Sequence, residues 1–542
     1  MNKVLFTTVQ KPFGLENEHV QAELFHAQVT RSQGIFSLRS VYHGWNLEFM
    51  AKNINAPTTV LHYPSEKEFI KELKKDYDYL GIGFVLPTWD KAKRLIELTR
   101  LNSPNTKIIL GGYGTVLSEV DEYADFVCRG EGLSYMKELL NEPQVTKFNT
   151  PTMINEMSCL SLPVGQTGVI FGGLGCPNGC DFCCTSHFFK KKHIPLLKTG
   201  KDIFEAMKKY DSIMKARSYS IIDEDFLKDK TRIKELYEYT SKETDNPRTF
   251  SCFASAKSIM QYDPEWLVEL GVDTIWLGVE SKYYSYDKTA GIDLKKLFDS
   301  LHEVGINTLG SMILGVDHHD SENIQKDIDY TLSLKPSLTQ FLIFSPCPET
   351  PLYKRLDEAG TLTNVPYAKQ DGFHLLFKHP NFTAVEIEKI QLDAFKQDFE
   401  KLGPSALRFI EKTLLGYRHF KNSNKPIIIS RFKKYKKLLI RALPLFPAAI
   451  SHATSVEVKK WVRKLRKEVE IELSFKDIII GRALAPIVQG FALYTKLIME
   501  SGTDHMQPKT LINRYNYKAN KLIKIDTIQN PQRLGSELKE CI

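Results

Sequence analysis

Along residues 1–145, short β-branched runs alternate with longer stretches whose apolar residues recur at helical spacing. The runs predict strands at Val4–Thr8, Thr58–His62, Tyr79–Val85, Lys107–Gly111 and Phe126–Cys128. Between them, Trp45–Asn53, Glu66–Lys75 and Ala92–Leu101 read as helices. Strands alternating with helices imply a parallel sheet with crossover connections. From Thr167 to about Pro346 the strand-then-helix pattern recurs, with strands expected at Val169–Leu174, Tyr219–Ile222, Thr249–Ala254, Thr274–Val279, Thr308–Leu314 and Gln340–Phe344. Six such units are too few to close an eight-stranded barrel, so a partial barrel is expected.

Residues 10–40 fit neither period, and so long an irregular segment in a compact domain is usually functional, here as a cover for a cofactor or substrate. Residues 146–166 read as a connector. Beyond about 375 the pattern is helical, clearest at Val385–Leu402 and Pro404–Leu415. The expected organisation is an α/β domain at 1–145, a linker at 146–166, the partial barrel at 167–375 and a helical, basic region at 376–542.

With 542 residues, 42% of them hydrophobic and 25% charged, the chain reads as globular. Nine cysteines, an odd number with a cluster at 176–184, suit a reducing compartment where thiols serve metals. Cys128, Cys159, Cys252, Cys347 and Cys541 read as plain small residues. Met1–Phe6 opens directly into an apolar strand, so no secretory leader is expected. The apolar stretch Ile478–Tyr494 is interrupted by Arg482, Pro486 and Gln489 and falls short of the roughly 20 residues of a membrane span.

The net charge of +8 is uneven: Glu411–Glu470 carries 16 Lys and Arg against 4 Asp and Glu, a local +12 that leaves −4 for the rest. Basic and apolar residues interleave through Arg431–Arg441, which suits either a membrane surface or an ordinary solvated helix face. No nucleic-acid module accompanies the basic run, so no nucleic-acid partner is expected. The location expected from these features is cytoplasmic, with the inner face of the membrane as a contact.

The chemistry concentrates in Gly172-Gly173-Leu174-Gly175-Cys176-Pro177-Asn178-Gly179-Cys180-Asp181-Phe182-Cys183. Three thiolates at spacings of four and three can hold one iron–sulfur cluster while leaving one iron without a protein ligand. The competing readings are a zinc site, with Cys184 or His187 as a fourth ligand, and three unrelated core cysteines.

The Cys-x3-Cys-x2-Cys spacing with an aromatic before the last cysteine resembles the signature of the radical S-adenosylmethionine (SAM) superfamily. The resemblance implies that Cys176, Cys180 and Cys183 hold a 4Fe–4S cluster whose open iron binds SAM. Asp223 and Glu224, after the second barrel strand, then face the SAM ammonium, and Gly278-Val279-Glu280-Ser281 matches the family's fourth-strand pattern, making Glu280 and Ser281 cofactor-binding. Ser311–Gly315 and Ser345–Tyr353 resemble later landmarks, except that Glu349 stands where the family commonly has glycine.

The N-terminal domain resembles the flavodoxin/Rossmann-like, cobalamin-binding domain that precedes the barrel in class B members of this superfamily. The match runs through Leu80–Val85, Ile109–Gly112 and Asp125–Gly132, which makes Gly81, Gly83, Gly111, Gly112, Gly130 and Glu131 cofactor-binding. The Asp-x-His-x-x-Gly motif of other cobalamin proteins is absent: His43-Gly44 has Val41 where the Asp should be, so His43 reads as a helix-entry residue. The loop Leu86-Pro87-Thr88-Trp89 is the nearest candidate for the lower cobalt face, and Thr88 joins the cofactor-binding set.

What the resemblance implies is a cobalamin-dependent enzyme that methylates an unactivated carbon of a small-molecule or lipid substrate, supplied with electrons by an external donor. One SAM provides the methyl group to cobalamin, and cleavage of another yields the radical that takes hydrogen from the substrate. Ring formation or rearrangement with the same cofactors is the nearest alternative, and a non-catalytic metal-binding sensor a distant one.

Overall fold

Leucine, isoleucine and valine runs become the strands of two separate, mainly parallel sheets. The computed structural model describes residues 2–11, 24–41, 43–214, 217–283, 286–501 and 507–517. Residues 2–11, 43–151 and 507–517 make one unit; 24–41 and 152–501 make the other.

In the first unit, β1 (Val4–Thr7), β2 (Thr58–His62), β3 (Tyr79–Gly83), β4 (Lys107–Gly111) and β5 (Phe126–Cys128) run parallel in the order β2-β1-β3-β4-β5. This is the flavodoxin order, whose ligand crevice lies beyond the strand C-termini where the order reverses, between β1 and β3. β1 is buried throughout because helices cover both faces of a parallel sheet. Gly81 lets Phe6 cross the sheet face: a Cβ there would stand 2.6 Å from the ring.

The helical expectation for 376–542 needs correction at its end. Leu511–Tyr515 is a strand, paired antiparallel along β2 from Leu511↔His62 to Tyr515↔Thr58. Side-chain bonds rather than apolar periodicity hold it: Asn513 Nδ2 donates to Glu48 Oε1 at 2.7 Å, and Arg514 reaches Thr59 Oγ1 at 2.7 Å and Glu72 Oε2 at 3.0 Å.

In the second unit, β6 (Ile154–Cys159) pairs antiparallel with β7 (Leu162–Phe171), so the stretch read as a connector is largely a hairpin. A two-residue ladder, β8 (Gly173–Leu174) with β9 (Ile194–Pro195), closes the cysteine loop. β7 then leads the parallel series β10 (Ser218–Ile222), β11 (Thr249–Phe253), β12 (Val272–Glu280), β13 (Asn307–Leu314) and β14 (Leu338–Ile343), in the order β14-β13-β12-β11-β10-β7-β6. These are the six strands of the expected partial barrel. On β12 the burial alternates: Ile275, Leu277 and Val279 are buried, whereas Trp276 and Gly278 on the other face are half-buried.

Residues 24–41, expected to be irregular, contain a helix at Phe25–Val29 and a 3₁₀ turn at Gly34–Phe36; residues 12–23 lie outside the described residues. The short helix packs against β14, where Gln340 Nε2 donates to Gln28 Oε1 at 3.0 Å.

The C-terminal helices Ala384–Leu402, Ser405–His419, Pro426–Ala442, Leu445–Ser451, Val456–Glu472, Phe475–Ala483 and Ala485–Glu500 complete this unit. Buried Arg408 forks onto Asp398 at 2.7 and 2.9 Å. The basic row at 431–441 is not wholly solvated. Arg431 is buried and donates to Val272 O at 2.9 Å, and Lys434 donates to Thr249 Oγ1 at 2.6 Å. Burial, then the nearby Arg431, lowers the Lys434 pKa to about 8.

Candidate functional site

The three cysteines occupy the loop after β7, at the C-terminal edge of the parallel series, where barrels of this kind place reactive groups. Their thiols are free of disulfides. Ser186 braces the loop, donating to Cys176 O at 2.7 Å and accepting from Gly179 N at 3.1 Å. Gly175 (φ 72°) makes the sharp turn before Cys176, where a Cβ would meet Lys192 O at 2.3 Å. Burial raises all three thiol pKa values, that of Cys183 to about 12, so their thiolates call for a cationic partner.

The zinc reading fits poorly. Among the described residues, Cys176, Cys180, Cys183, Cys184 and His187 do not bring three ligand atoms within 4.8 Å of one another, as a single zinc ion needs. Cys184 shares a hydrogen bond with Cys347, which, together with burial, holds its pKa well above the ordinary thiol value. Cys347, expected to be a plain small residue, thus sits beside the cysteine loop.

Among the described residues, the one set of three side chains close enough to hold a single ion is His318, His319 and Asp327. It serves another end: Gly315 N donates to His319 Nδ1 at 3.2 Å, so Nε2 keeps its proton and donates to Asp327 Oδ2 at 3.1 Å. Asp327 in turn accepts from Ser281 Oγ, and His318 Nε2 lies 3.1 Å from the same hydroxyl. The group positions Ser281.

The acidic loop after β10 divides into three roles. Asp223 is buried and accepts from Arg232 Nη2 at 2.8 Å and His193 Nε2 at 3.2 Å. Burial works against its charge, but His193 and Arg232 hold its pKa below the usual carboxylate value. Gly172 and Gly173 make room for this arrangement, since a Cβ on either would stand 3.0 Å from Asp223 Oδ2. Glu224 keeps contact with solvent while crowded by protein, and desolvation followed by the Asp223 charge raises its pKa. Asp225, absent from the expected set, links the cysteine loop to the end of β11: it accepts from Asn178 Nδ2 at 3.1 Å and from Ser255 N at 3.0 Å.

Glu280 ends β12 at φ 59°, next to a register shift against β13. It is buried and ion-paired with Lys288. Glycine at 278 leaves room for this pair, since a Cβ would meet Glu280 Oε1 at 2.0 Å and Lys288 Nζ at 2.9 Å and push the two side-chain ends aside. Lys288 also lies 5.5 Å above the Phe182 ring, inside the cysteine loop, and its charge favours the Cys180 thiolate. No sequence motif marks Lys288.

Within the half-barrel a polar chain crosses three strands. Trp276 Nε1 donates to Ser311 Oγ at 3.2 Å, Ser311 donates to Gln340 Oε1, and Gln340 continues to Gln28. Trp276 stacks on Phe253 with ring centroids 4.9 Å apart. This face combines flat aromatic area with hydrogen-bonding groups.

In the first unit, Gly83 and Gly111 end β3 and β4 at the crevice edge. Gly112 (φ 93°) passes close to Phe84, where a Cβ would stand 2.5 Å from the carbonyl oxygen; Gly130 (φ 125°) has open space where its Cβ would be. Thr88 is buried and caps its own turn, donating to Val85 O at 2.9 Å. Both Glu131 carboxylate oxygens serve a helix N-terminus, accepting from Leu133 N at 2.7 Å and Ser134 N at 2.8 Å. His43 packs on Trp45 at 4.7 Å and His62 at 5.7 Å, and burial followed by the His62 charge lowers its pKa to about 3.

A scan against models of known protein families finds no match. Bacteriochlorophyllide d C-8(2)-methyltransferase of Chlorobaculum tepidum is 23% identical over 353 residues, spanning 58% of this chain and 77% of that protein. An uncharacterised methyltransferase of Pyrococcus horikoshii is 22% identical over 319 residues, spanning 55% and 68%. Among solved structures, the radical S-adenosylmethionine methyltransferase TsrM of Kitasatospora setae, with tryptophan substrate and the SAM analogue aza-SAM bound, matches with a TM-score of 0.52 over 82% of this chain and 99% of that one, at 11% identity. The same protein with cobalamin and a 4Fe–4S cluster bound gives a TM-score of 0.49 over 81% and 100%, also at 11% identity. The chain has the TsrM fold.

Proposed function

We infer that this chain is a cobalamin-dependent radical SAM methyltransferase, and we propose that it methylates an unactivated carbon of a small-molecule or lipid substrate. The observation that carries the reading is the placement of three free thiols, at the Cys-x3-Cys-x2-Cys spacing, on the first loop of a six-stranded parallel half-barrel, in a chain that also carries a flavodoxin-order sheet. Two relatives named as methyltransferases and the TsrM fold support it.

When bound, the cluster and SAM supply a carbon-centred radical, and cobalamin carries the methyl group. The chain's part is to bind, orient and shield. Cys176, Cys180 and Cys183 hold the cluster. Glu224 meets the SAM ammonium, Asp223 fixes the loop that presents it, and Ser281, whose hydroxyl donates to Asp327 and accepts from Tyr283 N, fixes the backbone after β12 beside the cofactor. Lys288, paired with Glu280, places a positive charge against the thiolates and offsets the burial that otherwise disfavours them. The Trp276–Phe253 stack and the Ser311–Gln340 chain receive the substrate. Gly83, Gly111 and Gly130 would let cobalamin approach the backbone, Gly81 and Gly112 make room for Phe6 and Phe84, and Thr88 would line the same site.

The cluster would draw its electron from an external donor. The reaction belongs in a reducing, cytoplasmic setting, with the basic C-terminal region touching the inner face of the membrane. Anaerobic reduction with SAM tests the assignment. The expected result is 5′-deoxyadenosine together with S-adenosylhomocysteine; 5′-deoxyadenosine alone would point to ring formation or rearrangement, and neither product would overturn the enzyme reading.

A further inference from the structure

The helices Phe475–Ala483 and Ala485–Glu500 turn an apolar face outward. Ile471, Phe475, Ile479, Ile480, Ile487, Leu493, Tyr494 and Leu497 are each 45–79% exposed. Soluble surfaces carry such residues singly, not as a contiguous stripe. Between Ala483 and Thr495 there is no charged residue.

By length and composition alone, Phe475–Glu500 could cross a membrane: within its 26 residues an 18-residue window reaches a mean hydropathy of 1.4. Its other face is occupied, however. Ala492 and Thr495 are buried, Ser161 Oγ lies 2.9 Å from Thr495 Oγ1, and the second helix packs on Leu445–Ser451. Arg482 Nη2 donates to Glu470 Oε1 at 2.6 Å, and Lys436 pairs with Asp477 at 2.9 Å. A helix pair anchored along one side and apolar on the other suits the plane of a bilayer interface, not a span.

The neighbouring charges select the lipid. Pro426–Ala442 contains no acidic residue, and its exposed Lys433, Lys437 and Arg441 recur every four positions beside the Phe475–Ala483 helix, which lies across Ile440 and Leu443. Lys460, Arg463 and Lys467 are exposed on the adjoining Val456–Glu472 helix.

We propose that this face seats the protein in the interfacial layer of an anionic phospholipid bilayer, with Ile480, Ile487, Leu493, Tyr494 and Leu497 inserted and the Lys433–Lys437–Arg441 row on the headgroups. The proposal deepens the membrane contact proposed above and rests on that reading of the C-terminal region, not on the chemistry of the cysteine loop.

The test uses the full chain with phosphatidylcholine vesicles and with vesicles in which part of that lipid is phosphatidylglycerol. The wild type should sediment with the anionic vesicles, and the Lys433→Gln/Lys437→Gln/Arg441→Gln variant should bind them roughly ten-fold more weakly, or less tightly still. The Ile487→Ser/Leu493→Ser/Leu497→Ser variant should lose binding at low and high salt. A Tyr494→Trp reporter should shift its fluorescence to the blue on binding. Serine-variant binding equal to wild type, or no blue shift, would overturn the seat even if salt-sensitive binding persisted. Absence of vesicle binding, with a dimer that the serine variant converts to monomer, would make the face an interface between copies and overturn the proposal. SAM cleavage measured without vesicles reports separately on the enzyme reading.

Discussion

Arg232 Nη2 meets Asp223 Oδ2 at 2.8 Å, with both side chains 1% exposed. A carboxylate held this way is part of the protein interior, and on the function proposed above the SAM ammonium is met by Glu224 next to it. Two adjacent acids that look equivalent in sequence therefore differ in what their loss does. Asp223→Ala strands a buried guanidinium and should destabilise the protein by about 3 kcal/mol or more in chemical denaturation. Glu224→Gln should leave stability within about 0.5 kcal/mol and weaken SAM binding by roughly ten-fold or more, as loss of a charge-assisted hydrogen bond does. Isothermal titration with SAM on the reconstituted protein reads the second effect. The reverse pattern would mean that Asp223 faces the ligand.

The cysteine loop yields a second contrast. Replacing Cys176, Cys180 and Cys183 together with alanine should abolish the brown iron–sulfur absorbance and all SAM cleavage. Cys184→Ala should retain both, because that thiol is engaged by Cys347. Full iron and sulfide content in the triple variant would refute the cluster assignment.

Strand positions are legible in the sequence wherever burial on both faces demands a continuous apolar run, as at Leu80–Ile82 or Ile108–Leu110. They are not legible where pairing does the work without burial. The first half of β7 carries Pro163, Gly165 and Gln166, all exposed, and forms a strand because β6 pairs with it. Leu511–Tyr515 is similarly fixed by Glu48, Thr59 and Glu72, more than four hundred residues away along the chain.

The site divides in the same way. Local spacing marks Cys176, Cys180, Cys183 and the Gly278–Ser281 run. Lys288, Asp327 and Cys347 reach the site only through tertiary structure, and the helix-capping use of Glu131 emerges only from the geometry of its two acceptor bonds.

His43 supplies a pH signature for the first unit. Its pKa falls from the ordinary histidine value to about 3 on folding, so the unfolded chain binds the proton more readily and stability drops as pH falls below about 6.5. Between pH 6.5 and 5 the loss from this group is about 2 kcal/mol. Hydrogen exchange at the β2 amides should show that acid sensitivity, and His43→Phe should reduce it; an unchanged pH slope would mean the imidazole is protonated in the folded state. In protein loaded with cobalamin, the cob(II)alamin electron paramagnetic resonance spectrum should lack nitrogen superhyperfine splitting, in wild type and variant alike.

Glu349 stands at φ 68° on an exposed turn, the left-handed conformation that glycine adopts without steric cost. The turn is retained without the glycine: Thr350 N donates to Cys347 O at 3.2 Å, and Thr350 Oγ1 accepts from Tyr353 N at 3.2 Å to cap the next helix. A non-glycine residue there costs about 1 kcal/mol or more, of which the greater unfolded-chain freedom of glycine would take back about half. Glu349→Gly should therefore stabilise the protein by roughly 0.5 kcal/mol. Glu349→Ala keeps the strained φ and removes only the charge, so it should bring no gain. Denaturation midpoints of the two variants separate backbone strain from charge. If alanine and glycine stabilise equally, the carboxylate and not the turn is the source of the cost, and its neighbours at the C-terminal end of the barrel strands become the place to look.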